Sequence, residues 1–146
     1  MRVRILAAGK PALAYAKTGV AEYLKRLGRY GSYDLEFLKA GDSEGVSKAL
    51  LERSEGNYRI AMDERGQALT TPAWAEQFAS LEMRGDIKTV TFLIGASDGH
   101  TEDLRKTCDA VWNLSTLTMQ HELALLVLLE QLYRVATFRR GEPYHR

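Results

Sequence analysis

Short apolar, β-branched runs alternate with stretches of helical periodicity along the whole chain, and this alternation limits the possible folds more than any other feature. Residues 3–8, 33–38, 59–63, 89–94 and 111–114 read as five strands. Between the first two, Pro11 can open a helix in which Leu13, Ala16, Val20, Leu24 and Leu27 share one face, with Gly28 as its stop. Asp42 or Ser43 is placed to cap a short helix that turns Val46, Ala49 and Leu50 inward. Thr71 followed by Pro72 predicts an N-cap and first turn, opening a helix that buries Trp74, Phe78 and Leu81 and stops near Gly85. Thr101 caps the next helix, whose first turn carries Glu102 and Asp103. A last helix is expected from about Gln120 to Phe138. Strands separated by helices imply an α/β fold with a mostly parallel sheet and helices on both faces.

The chain has 146 residues, expected to form one domain that buries roughly two-thirds of its unfolded surface. Net charge is +1, so a nucleic-acid partner would have to be met by local basic patches rather than by a global field. Cys108 is the only cysteine, which excludes a disulfide framework and fits a reducing cytoplasm. Met1 to Ile5 leads directly into a strand pattern and lacks signal-peptide architecture. The longest apolar run, Leu123 to Leu129, has seven residues, too few to span a bilayer. It leaves the last helix no polar face for two turns. Such a helix is either the central core of a monomer or has one side against another subunit.

In an open parallel sheet, ligands sit at the carboxyl ends of the strands. Three exits are therefore of interest: Met62-Asp63, Gly95-Ala96-Ser97-Asp98-Gly99, and residues 114–119. The glycine turn fits either a tight strand-to-helix connection or close backbone approach to a flat ligand, where a side chain at Gly95 would intrude. The last exit alternates leucines with Ser115, Thr116 and Thr118. Its backbone can read an adenine edge while Leu114 and Leu117 sandwich the ring, or its hydroxyls can simply cap the next helix. Of the three histidines, His100 is expected to be solvated and His121 to make a structural hydrogen bond. His145 lies in a Tyr144-His145-Arg146 tail that combines stacking, proton-transfer and cationic groups. No histidine, cysteine or carboxylate pair has metal-ligand spacing, so no metal is expected. Basic residues gather at Lys25, Arg26 and Arg29, at Arg134, and at Arg139, Arg140 and Arg146, where they suit phosphate contacts beside a bound base.

Read in order, these residues resemble the RlmH family, small SPOUT-class methyltransferases that modify a pseudouridine in large-subunit ribosomal RNA. The similarity runs through Gly9-Lys10, the stretch Gly19 to Arg26, Asp63 with Gly66, the glycine turn, residues 114–118, His121, Glu130, Tyr133-Arg134 and Pro143-Tyr144-His145-Arg146. The resemblance implies a C-terminal trefoil knot, a homodimer and S-adenosyl-L-methionine as cofactor. Its contacts would fall on Met62, Gly95, Leu114, Ser115, Thr116, Leu117, Thr118 and Met119. Three departures stand out: Ala96 replaces a second glycine, Gln120 a proline, and Ala124 an arginine. Ala96 is tolerable if its φ is negative, Gln120 is expected to loosen the last loop, and Arg139 or Arg140 would compensate for the missing arginine.

The chemistry that follows is methyl transfer to N3 of a pseudouridine in 23S ribosomal RNA. The imide N3 is largely protonated at neutral pH, so the site must remove that proton or stabilise the anion. His145 is the expected base or relay, Arg134 or Arg146 the charge stabiliser, and Tyr144 the residue that stacks on or orients the base. With a net charge of only +1, the protein is expected to bind naked RNA weakly and to depend on the large subunit or assembled ribosome. A knotted methyltransferase acting on tRNA and a non-catalytic ribosome-assembly module are the competing readings; the latter would not need the tail.

Overall fold

A computed structural model describes residues 1–146. The elements alternate along the chain: β1 (Arg2–Ala8), α1 (Ala14–Leu27), β2 (Tyr33–Leu38), α2 (Ser43–Arg53), β3 (Tyr58–Ala68), α3 (Thr71–Met83), β4 (Thr89–Ile94), α4 (Glu102–Thr107), β5 (Ala110–Asn113) and α5 (His121–Arg139). All four strand pairings are parallel, in the order β2-β1-β4-β3-β5. The sheet is thus wholly rather than mostly parallel.

Period-two alternation sorts the two faces. Val3, Ile5 and Ala7 of β1, Val90 and Phe92 of β4, and Ile60 of β3 point into a core shared with α1, α3 and α5. Leu6, Ala8, Ala61 and Leu93 point the other way, against Val46 and Leu50 of α2 and Leu104 of α4. Crossovers toward the β2 edge use α1 and α3 on the first face, and those toward the β5 edge use α2 and α4 on the second. Every connection therefore has the same hand, as parallel crossovers require. The larger core centres on Trp74, whose ring lies 6.0 Å from Phe92 and 5.0 Å from Trp112.

Local chemistry moves several expected boundaries. Pro11 lies in the loop, and α1 starts at Ala14 with no side-chain cap. The carboxylate of Glu122 fixes this entry instead, accepting from the backbone N–H groups of Ala12 (2.6 Å) and Leu13 (3.0 Å). Asp42 caps α2 through Gly45 N–H at 2.7 Å. Thr70, not Thr71, caps α3, which places Pro72 at the second helical position. Gln120 does not loosen its loop: its side chain accepts from Glu122 N–H (2.9 Å) and Leu123 N–H (3.0 Å) and caps α5. The half of the last helix expected to seek cover finds it between α1 and α3, where Leu125, Leu128, Leu129 and Leu132 are buried. Leu123 remains 37% exposed.

The largest departure is in β3. Residues 63–66 do not end the strand; they loop out of it, because Met62 and Gln67 both pair with Trp112. Gly66 allows this. A Cβ there would lie 2.7 Å from backbone atoms of Val111 and Trp112, which cannot yield as a side-chain tip can. Gly66→Ala is expected to cost about 3 kcal/mol, the upper range for overpacking. Gly85→Ala, which would meet nothing within 4 Å, should stay within about 0.5 kcal/mol of the parent. Urea unfolding of the two variants measures the contrast.

Candidate active site

The exits of adjacent strands diverge at the carboxyl end of the sheet. β3 feeds α3 on one face and β4 feeds α4 on the other, which leaves a crevice between them. Three segments line this cleft: Met62 to Arg65, Ile94 to His100, and the exit of β5, with His121 and Ala124 of α5 closing one end. Its volume is about 810 Å³, partly open to solvent. Met62, Gly95, Leu114, Ser115, Leu117, Thr118 and Met119 all line it. Thr116 lies on the same loop, exposed, and does not.

Gly95 and His100 set the floor. His100 is buried, not solvated. Its Nε2 lies 3.0 Å from the carbonyl oxygen of Leu93; a carbonyl only accepts, so Nε2 carries the hydrogen. Nδ1 is then a bare acceptor and has no partner. A Cβ on Gly95 would sit 3.0 Å from Nδ1 and 3.3 Å from the carbonyl carbon of Gly99. The missing side chain thus makes room first for the imidazole. Ala96 needs no such licence, since no non-glycine residue has positive φ.

Several functional groups were not legible as such in the sequence. The Asp63 carboxylate, 4% exposed, receives the side chain of Arg65 at 2.8 and 2.9 Å and its backbone N–H at 2.9 Å. Arg105 of α4 stands 3.9 Å away and donates to the His100 carbonyl at 2.8 Å. Glu64 accepts from the Thr118 hydroxyl, joining the β3 bulge to the β5 exit. From α2, Ser43 donates to the Gly99 carbonyl at 2.7 Å, and Ser47 accepts from Thr101 N–H at 3.1 Å. Asp63 with Gly66 marked a strand exit in the sequence. Nothing there indicated that Ser43 and Ser47, ordinary helix-start residues, clamp a loop more than fifty positions away.

The tail forms a second cluster. Arg134 pairs with Glu130 at 2.8 Å, places Nη1 3.3 Å from His145 Nδ1, and lies 4.8 Å from the centre of the Tyr144 ring. Tyr144 packs edge-on to Tyr133 at 4.7 Å, and its hydroxyl is 3.4 Å from that of Tyr23. Burial and the Tyr23 contact push its phenol up to about 12, so it stays protonated at neutral pH. Arg139 is engaged with Glu82 at 2.9 and 2.7 Å, Arg140 stacks on Tyr30, and Arg146 is exposed. Tyr144, His145 and Arg134 are therefore together, but they share no residue with the cleft. Ala124 and Arg134 are ten residues apart on α5, a rise of about 15 Å.

A parallel sheet covered on both faces, with a loop-walled cleft at its diverging strand exits, is the architecture of an α/β ligand-binding domain. The family described as "Predicted SPOUT methyltransferase" matches residues 1–145, and the chain belongs to that family. It is 47% identical over 146 residues to a Ribosomal RNA large subunit methyltransferase H from Thermus thermophilus, covering all of this chain and 99% of that one. The namesake from Deinococcus radiodurans is 39% identical over the same length, with the same coverage. Among solved structures, a probable methylase family protein from Haemophilus influenzae Rd KW20 superposes with a TM-score of 0.60 at 9% identity, covering 99% of this chain and 70% of that one.

Two buried groups make the site acid-sensitive. Burial lowers the pKa of His100 from its ordinary 6.5, opposed by the Leu93 hydrogen bond and the charge of Asp63. Burial alone would raise the Asp63 pKa, but the hydrogen bonds and charge of Arg65 hold the carboxyl below its ordinary 3.8. A depressed folded pKa contributes stability above the unfolded value that is lost as pH falls toward the folded one. Stability should therefore drop below pH 6.5, with a limiting slope of about 1.4 kcal/mol per pH unit for His100. A further loss should follow below pH 3.8 as Asp63 protonates. Urea titrations of wild type and His100→Gln between neutral and mildly acid pH should show the first slope only in wild type.

Proposed function

We propose that this protein is an S-adenosylmethionine-dependent methyltransferase acting on N3 of a pseudouridine in 23S ribosomal RNA, built as a single SPOUT domain over residues 1–146. The observation that carries this reading is the cleft walled by the exits of β3, β4 and β5, in a chain that aligns end to end with relatives named for large-subunit ribosomal RNA methylation.

The cleft fits the cofactor in shape and charge. Gly95 presents main chain in the lining, and Met62, Leu114, Leu117 and Met119 offer apolar walls. Ser115 and Thr118 add hydroxyls, while Glu64 and Asp98 supply negative charge suited to a cationic ligand. Bound there, S-adenosylmethionine supplies an electrophilic methyl group on a sulfonium.

The chain's own residues must then handle the acceptor. Nδ1 of His145 faces a guanidinium that can only donate, so Nδ1 accepts and the neutral ring carries its hydrogen on Nε2. In this arrangement His145 offers Nε2–H to a developing oxyanion, and it accepts the N3 proton only once Nδ1 is released from Arg134. Glu130 fixes Arg134, and Arg134 in turn orders His145 and Tyr144. Positive charge beside the base stabilises its deprotonated form.

Cleft and tail lie apart within one chain, so a second copy must bring its tail to this cleft. A twofold homodimer does so twice. In support, Leu117 is 73% exposed near the cleft mouth. Leu123 and Leu13, in neighbouring segments joined through Glu122, are also exposed. The resemblance adds the trefoil knot, with the segment after β5 threaded. The Glu64–Thr118 contact, which closes that segment onto β3, accords with such threading.

The test is methylation of ribosomes from a strain lacking this activity, with the modified nucleotide mapped by mass spectrometry. Gly95→Val should abolish calorimetric cofactor uptake. His145→Ala should leave uptake intact and slow single turnover by about 10²-fold or more. After subunit exchange, the two defective variants should regain about a quarter of wild-type activity, since half the dimers then carry one intact composite site. Mixtures that stay inactive would place both halves of the site in one chain.

A further inference from the structure

The surface formed by α1, the turn after it and the carboxyl half of α5 carries a cation–aromatic ladder that the cleft does not use. Arg140 lies over the Tyr30 ring at 4.6 Å, and Tyr30 packs edge-on to Tyr133 at 5.7 Å. Tyr133 continues to Tyr144 at 4.7 Å and to Tyr23 at 5.9 Å, with Arg26 about equally spaced from Tyr23 (5.3 Å) and Tyr133 (5.4 Å). The hydroxyl of Tyr30 donates to Glu142 at 2.6 Å, which fixes that ring.

Charge on this surface is only partly neutralised. Arg26, Arg134 and Arg139 have carboxylate partners, whereas Lys25, Arg29, Arg140 and Arg146 form no ion pair. Glu142, bonded to Tyr30, stands against these unpaired cations, so the surplus of positive charge is local on a molecule of net charge +1. Arg140 is exposed, with its guanidinium carbon over the Tyr30 ring. An exposed guanidinium over an aromatic ring, with further cations nearby, is an arrangement that can stack a nucleobase and neutralise its phosphates.

We infer that Arg140 on Tyr30, with Arg29 beside it in sequence, forms a stacking subsite for an unpaired RNA nucleotide, outside the cofactor cleft of its own chain and joined by the tyrosine ladder to the Tyr144–His145 tail. This rests on the methyltransferase reading and adds to it a second RNA contact that holds the substrate away from the reacting base. An acidic protein segment would use the charge but not the plane. Arg139, locked to Glu82, contributes to the wall of this site and not to its open charge.

The test is co-sedimentation of the full chain with ribosomes from the strain lacking the modification, with decauridylate in large excess as competitor because naked RNA is expected to bind weakly. Arg140→Glu should weaken binding at least about tenfold, within the range for losing one stacked base and one phosphate contact. Arg140→Lys, which keeps the charge and loses the plane, should lose part of that affinity, and Tyr30→Phe should lose little. Melting temperature and calorimetric uptake of S-adenosylmethionine should be unchanged in all three. Wild-type binding by Arg140→Glu or Arg140→Lys, or a failure of decauridylate to compete, overturns the inference and leaves the methyltransferase reading standing. Absence of cofactor uptake by the wild type refutes that reading instead, while a deficit of Arg140→Glu in sedimentation still supports the RNA contact.

Discussion

The backbone contact between Gly66 and β5 is the constraint on which the site depends. β3 pairs with Trp112 through Met62, leaves the sheet for four residues, and pairs with Trp112 again through Gln67. Only a residue without a side chain can pass that close to the Val111 and Trp112 backbone. The Asn113 side-chain amide spans the excursion, donating to the carbonyls of Gly66 at 3.1 Å and Glu64 at 3.4 Å. The bulge turns Asp63, Glu64 and Arg65 toward the cleft while the strand continues beneath them. Without it the same residues would alternate across the sheet, and no wall would stand opposite the glycine turn.

That wall is linked to the rest of the cleft by charge and hydrogen bonding. Asp63 joins Arg65 on its own strand to Arg105 on α4, and Arg105 holds the backbone of His100. His100 ties back to the end of β4 through Leu93. The loop of residues 95–100 is thus held by β4, α4 and the two serines of α2, with little freedom of its own. A backbone-lined slot requires such support, because its geometry rests on main-chain positions that no single side chain can correct.

The layered fold was legible because it depends on period. Strands such as residues 89–94 read the same in sequence and structure, since a buried parallel strand is a continuous apolar run bounded by turn residues. Helix caps were legible where the capping group is local, as at Thr101 and Asp42. They were missed at Gln120, whose amide is not among the usual caps, and where a distant group does the work, as when Glu122 fixes the entry to α1. His100 looked like a loop histidine, because the cavity that receives it exists only once Gly95 and Leu93 are in place. The β3 bulge was read as an end because Asp-Glu-Arg-Gly is turn chemistry, and only the pairing of both flanks to Trp112 shows that the strand resumes. Local signals fix elements; contacts between residues far apart in sequence fix the site.

A net charge of +1 conceals a strong separation of charge. The cleft lining carries Asp63, Glu64 and Asp98 against Arg65. Since Asp63 and Arg65 neutralise each other, two acidic groups are left over. The opposite end of α5 and the neighbouring part of α1 carry the free cations around Tyr30 and Tyr144. Debye screening at physiological salt reaches only about 8 Å, while ten residues of α5 between cleft and tail span about 15 Å. The two fields therefore act independently within one chain. One is a cleft with surplus negative charge, and the other an exposed surface with surplus positive charge. A positively charged tail gains favourable Coulomb energy where it meets an acidic cleft, and within one chain the two stand too far apart to meet.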